Sequence, residues 1–156
     1  MISLRKINEE NFEECIKLEP KEDQKSFVAS NIRSLAQAYV ALSNKECIPM
    51  PYAIYENDIM VGFTMLSYNE AAEESEENTY WVCRLMVDKQ YQRKGYGKEA
   101  MKKALDLIRT EPYGKAPRIY LSYEPENEIA KKLYASLGFV ETGEIEDGEV
   151  VAKLTL

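Results

Sequence analysis

The chain has 156 residues, and 20 lysines and arginines against 27 aspartates and glutamates leave a net charge of −7, with no histidine at all. That excludes Ser-His-Asp and Cys-His triads, imidazole bases and His-containing zinc motifs, and an isoelectric point near 4.8 argues against a nucleic-acid partner. A hydrophobic content of 45% is enough for one core, so a single domain over residues 1–156 is expected.

Met1–Ile7 alternates apolar and polar residues and reads as a short strand; it lacks the apolar stretch of a signal peptide. Asn8 stands where a helix N-cap would, ahead of Phe12, Cys15 and Ile16. Val28, Ile32, Leu35, Tyr39 and Leu42 step by three and four, which predicts a second helix with that stripe on the core, ended by Pro49 and Pro51. Tyr52–Tyr55 and Met60–Tyr68 flank Asn57-Asp58 as a hairpin. The apolar run Ile59–Leu66 falls far short of the ~20 residues that span a bilayer, so no membrane partner is expected.

Glu70, Glu73, Glu74, Glu76 and Glu77 follow, read either as a solvated hairpin tip or as a landing zone for a polycation. Tyr80–Val87 is nearly all apolar and predicts a central strand buried on both faces. A helix with Met101, Ala104, Leu105 and Ile108 on one face comes next, then a strand through Ile119, Leu121 and Tyr123. Asn127 opens a last helix closed by Gly138, and Phe139–Ile145 pairs with Val150–Leu156 across Asp147-Gly148. The expected order is β-α-α-β-β-β-α-β-α-β-β, a mixed α/β domain with its ligand site beyond the carboxyl ends of the middle strands. Cys15, Cys47 and Cys83, odd in number and far apart, fit a reduced, cytoplasmic protein.

Between the central strand and the next helix lies Gln92-Arg93-Lys94-Gly95-Tyr96-Gly97-Lys98. Two glycines let the backbone turn sharply beside a ligand, and the first-turn N–H groups of the helix then point at it. Together with the helix dipole and with Arg93, Lys94 and Lys98, they make an anion site suited to a diphosphate. The spacing is neither that of a Walker loop nor that of a dinucleotide fingerprint.

This loop, followed by Asn127-x-x-Ala130-x-x-Leu133-Tyr134-x-x-x-Gly138-Phe139, resembles the GNAT superfamily of acetyl-CoA-dependent N-acetyltransferases over nearly the whole chain. Ser34–Tyr39, Val61–Phe63, Arg84–Asp88 and Leu121–Asn127 are similar, more narrowly, to bacterial spermine/spermidine (diamine) acetyltransferases. The resemblance implies a mostly antiparallel central sheet flanked by four helices, with acetyl-CoA as co-substrate and no metal. It implies that the backbone of Leu85, Met86 and Val87 pairs with pantetheine, and that Gln92, Arg93, Lys94, Gly95, Tyr96, Gly97 and Lys98 hold the pyrophosphate. Asn127 would contact the pantetheine arm and Lys131 a CoA phosphate, while Tyr134 would donate to the leaving thiolate. The acceptor would be a small cationic amine, and a homodimer is common in the family.

The segment Tyr80–Met86 carries no carboxylate, unlike many family members, so a water chain ending at a carboxylate elsewhere, Glu124 for instance, is the expected base. Cys83 has no histidine to activate it and reads as an inert buried thiol. Other amine acceptors (a protein N-terminus, a lysine or an aminoglycoside) and a non-catalytic CoA-binding module stay open.

Overall fold

The computed structural model describes residues 1–156. Seven strands and four helices follow in the expected order: β1 Ile2–Lys6, α1 Phe12–Lys17, α2 Asn31–Ser43, β2 Ile48–Glu56, β3 Ile59–Asn69, β4 Thr79–Val87, α3 Tyr96–Arg109, β5 Arg118–Tyr123, α4 Glu128–Ser136, β6 Val140–Glu146 and β7 Glu149–Thr155. One sheet holds all the strands in the order β1-β2-β3-β4-β5-β7-β6, antiparallel everywhere except at β4–β5. No helix is long and apolar enough to cross a membrane.

The turn residues account for the hairpins. Asp147 and Gly148 both take positive φ (49° and 81°), which the two-residue turn joining β6 and β7 demands. Pro49 and Pro51 do not end α2, which stops at Ser43; they lie inside β2, paired with Ser67 and Met65 of β3. β1 covers β2 only from Tyr52 onward, so the N–H that each proline lacks would have met no partner strand.

The core has two faces. Met101, Ala104, Leu105 and Ile108 of α3, with Tyr134 of α4, pack with Leu66, Tyr80, Val82, Ile119, Leu121 and Tyr123. On the other face Cys15 of α1 and Ala38 of α2 pack with Ala53, Phe63, Met65 and Met86.

Helix α2 is turned relative to its predicted stripe. Asn31, Ser34 and Ala38 are buried, whereas Ile32, Tyr39 and Leu42 are 59%, 74% and 59% exposed. The rotation is about one residue, roughly 100°. Small side chains at Ser34 and Ala38 let the helix lie close on the sheet, and Asn31 Nδ2 donates to the Cys15 carbonyl at 2.9 Å, fixing that orientation. Asn8 likewise caps no helix. Its side-chain oxygen accepts from Glu10 N and Asn11 N, closing a turn, and α1 begins only at Phe12.

Candidate active site

The middle of the sheet opens because β4 and β5 stay together for only three residue pairs, Tyr80–Val82 against Ile119–Leu121. The cause lies in β4. Opposite Met65 and Leu66 the register slips, with Met65 facing Arg84 and Leu66 facing Val82, so Cys83 is an extra residue that bends the strand. Beyond that bulge β4 follows β3, β5 follows β7, and a cavity of about 850 Å³ fills the gap.

The exposed edge of β4 offers main-chain groups to this cavity. Asp88 N donates to Val61 O on β3, so the preceding carbonyl, of Val87, faces the opposite way. By strand alternation Leu85 shares the orientation of Val87. Met86 faces β3 instead, its carbonyl crowding Gly62. Of the three residues expected along the edge, Leu85 and Val87 therefore aim their backbone into the gap and Met86 does not.

Gln92 has an unanticipated role. Its amide donates to Val87 O at 3.0 Å and to Gln24 Oε1 at 2.7 Å, while Gln24 donates back to Gln92 Oε1 at 3.2 Å. Asp88 adds a second tie, accepting from Glu19 N and from Gln90 N at 3.0 Å each. Lys89 Nζ reaches Glu19 at 2.6 Å. The segment between α1 and α2 is thus fastened to the β4–α3 loop.

That loop ends in Gly95, whose φ of 81° is the left-handed turn that starts α3; no side chain caps the helix. The first-turn N–H groups are left for a ligand, and the dipole of a 14-residue helix points the same way. Gly97 is instructive: a Cβ there would meet only Val87 Cγ2, at 3.8 Å, so packing does not require glycine at that place. Arg93 and Lys98 line the cavity, but Lys94 does not, and its ammonium lies 5.8 Å from the ring centre of Tyr91.

Asn127 caps α4, its Oδ1 accepting from Ala130 N at 3.2 Å, and it also lines the cavity. Lys131 lines a smaller neighbouring pocket that shares Tyr123 and Tyr134 with the cavity, and its ammonium lies 3.9 Å from Glu141. Tyr134 lies against Tyr123 and Phe139 at 5.9 and 6.0 Å between ring centres. Buried hydroxyls normally find partners. Tyr80 donates to Gly114 O at 2.8 Å and Tyr123 to Glu141 at 2.7 Å. The Tyr134 hydroxyl bonds to no other residue, and Tyr134 lines the cavity. Burial, and then the Glu149 carboxylate, push its phenol well above the ordinary value, so it is a hydrogen-bond donor at neutral pH.

Acidic side chains line the β5–β7 end of the cavity: Glu124, Asp147 and Glu149. Sequence reasoning missed the last two, since a turn aspartate and a strand glutamate have no local signature. None of Glu70–Glu77 lines the cavity; that stretch joins β3 to β4 at the end of the sheet where β4 begins, and Glu77 pairs with Arg118. The landing-zone reading does not hold for this cavity. Cys83 borders it, its thiol pushed up by burial, which keeps it protonated and a poor nucleophile.

The comparisons with known proteins bear on the family and the fold. The chain is 34% identical over 153 residues to a probable spermine N(1)-acetyltransferase of Bacillus subtilis subsp. natto, covering 96% of this chain and 95% of that one. Its fold is similar to that of aminoglycoside acetyltransferase AAC(6')-Ib in complex with coenzyme A, with a TM-score of 0.77, 16% identity and coverage of 99% and 95%. It is also similar to the spermidine N-acetyltransferase of Vibrio cholerae in complex with CoA and spermine, with a TM-score of 0.69, 17% identity and coverage of 99% and 94%. The profile of the acetyltransferase (GNAT) family matches residues 2–139, and the chain belongs to that family.

Proposed function

We propose that this protein transfers the acetyl group of acetyl-CoA directly to a primary amine of a polyamine such as spermidine or spermine. The observation that carries the reading is the cavity itself. Its loop end presents main-chain donors, Arg93 and Lys98 to an anion, and its β5–β7 end presents carboxylates to a cation. The 34% identical relative named for spermine supports the choice of amine. Residues 1–156 act as one catalytic domain, placed in the cytoplasm, where the three free cysteines stay reduced.

Acetyl-CoA enters as a substrate. Main-chain groups of Leu85 and Val87 hold the pantetheine arm as a strand would, and the N–H groups from Arg93 to Lys98 hold the diphosphate. Asn127 flanks the arm. The reacting nitrogen adds to the thioester carbonyl, and the carbon–sulfur bond breaks as the amide forms. Tyr134 stabilises the departing sulfur by a hydrogen bond. Its raised pKa keeps the phenol protonated and able to donate that hydrogen bond. The amine needs help as well: with a reference pKa near 10.4, roughly one molecule in 2,500 is neutral at pH 7.

A thiol-release assay with acetyl-CoA against spermine, spermidine, putrescine, lysine, an aminoglycoside and a peptide amine tests the reading. Preferred turnover of the polyamines is expected. Preference for another amine reassigns the acceptor, and CoA binding without turnover of any amine overturns the enzymatic reading.

A further inference from the structure

The acceptor's proton must go somewhere, and β4 offers no carboxylate between Thr79 and Val87. The faces of the neighbouring strands narrow the choice. Ile119, Leu121 and Tyr123 of β5 lie in the core on the side of α3 and α4, where Tyr134 also sits. Strand alternation puts Ser122 on the opposite face, that of α1 and α2. Ser122 pairs with Val151, so Glu149, two residues earlier on β7, is its diagonal neighbour on that same face. Ser122 Oγ donates to Glu149 Oε2 at 3.2 Å. Tyr134 and Glu149 therefore reach the gap between β4 and β5 from opposite sides of the sheet.

We infer that Glu149, anchored by Ser122, is the carboxylate on which the acceptor's reacting ammonium docks and to which it gives its proton. The inference rests on the amine-acetylation reading above and adds the residue. A thioester lying in the gap has its sulfur beside Tyr134, and the nitrogen arrives from the other face past Glu149. One carboxylate oxygen is held by the serine and the other is free for the ammonium. Asp147 is exposed at the hairpin tip, and Glu124 has no hydrogen bond to fix it, whereas Glu149 is half-buried and anchored. Its charge is also felt by the Tyr134 phenol, which places the two groups in one electrostatic environment.

The step balances. The ammonium loses one proton to the Glu149 carboxylate, and the freed lone pair forms the nitrogen–carbon bond while the carbonyl π pair moves to oxygen. When that pair returns, the carbon–sulfur pair leaves on sulfur. The second nitrogen proton passes to the thiolate, giving the amide and the free thiol, and Glu149 returns its proton to water.

The test is steady-state kinetics of the full chain with spermidine, alongside CoA titration. For Glu149→Gln, kcat/KM at pH 7 should fall about 10²-fold or more, with the CoA Kd unchanged. Between pH 7 and 9 the deficit should shrink by up to about tenfold per unit, because the amine's own deprotonation takes over. Glu124, Asp147, Asp23, Lys21, Arg33 and Arg84 also face the cavity, but they are common to both proteins, so a difference between the profiles belongs to Glu149. Glu124→Gln, which takes one carboxylate from the acidic lining, should raise the amine KM without the pH-dependent deficit. Wild-type behaviour of Glu149→Gln, or transfer of the deficit to Glu124→Gln, overturns the inference alone. Failure of the wild-type protein to acetylate any amine overturns the functional reading and the inference with it. If Glu149→Gln does not fold, Ser122→Ala should raise the amine KM several-fold at constant CoA Kd, and an unchanged KM is contrary.

Discussion

The two ends of the cavity are built by different means. At the loop end the contacts come from the backbone of one continuous stretch, Gln92–Lys98, where glycine and the start of α3 supply the geometry. At the acceptor end they come from side chains on β5, β7 and the α1–α2 segment, which meet only after the sheet has formed. Backbone recognition leaves a local motif because it constrains which residues can turn and which can stay bare of a side chain. Side-chain recognition by non-local contacts leaves none. The loop end should therefore govern cofactor affinity, and the acceptor end amine selectivity.

A large effect is expected between the two ends, at the reacting bond. Tyr134→Phe should lower kcat about 10²-fold, the usual cost of removing one donor to developing charge, with the CoA Kd nearly unchanged. An unaltered kcat, where chemistry limits turnover, would remove the phenol from the mechanism. The loop end is tested by Gly97→Val, which should weaken CoA binding about tenfold or more by placing methyl groups where the diphosphate approaches. Gly97→Ala, adding only a Cβ in ordinary contact with Val87, should be milder. Calorimetric titration would reveal either effect, and equal affinity for folded Gly97→Val would mark the loop as structural only.

The ends are not fully independent, because Gln24 and Gln92 join them through paired amides. Gln24→Ala should raise the amine KM by roughly fivefold, as expected for losing a hydrogen bond worth about 1 kcal/mol. CoA affinity should hold, and a parallel loss of it would show that the loop end depends on this clamp.

The smallest effect concerns stability rather than catalysis. Burial pushes the Cys15 thiol up to about 11, and burial with the hydrogen bond to Glu141 pushes the Tyr123 phenol up to about 12. Both groups keep protons in the folded state that the unfolded chain releases from about pH 9 and pH 10. Stability should thus be complete below pH 9 and fall as pH rises through 9–12, and Tyr123→Phe should flatten the part above pH 10. Thermal melts at pH 8, 9, 10 and 11 would reveal this, and a Tm constant over that range would contradict it.

How much was legible follows the same division. The order of elements, the hairpin turns, the α3 face and the Gln92–Gly97 loop are local patterns, and they read directly from the sequence. Helix α2 misled because its largest apolar residues point outward, while Ser34 and Ala38 seat it by being small. Glu70–Glu77 stayed open between a solvated tip and a landing zone because charge density carries no information about place; the acids lining the cavity are Asp23, Glu124, Asp147 and Glu149, scattered along the chain. Lys131 lies four residues from Asn127 and three from Tyr134, yet its ammonium turns to Glu141 and stays out of the cavity. The bulge at Cys83, which opens the whole site, has no signal in so apolar a strand.

The central claim is that the acidic end selects a polycation, and the most direct measurement compares kcat/KM for spermidine and butylamine at low and at physiological salt. One well-placed ion pair, worth roughly 1.4 kcal/mol, predicts at least about a tenfold preference for spermidine. Part of that preference should fade at physiological salt, through screening of the exposed Asp147. Equal kcat/KM for the two amines at low salt would contradict polyamine selection while leaving acetyl transfer intact.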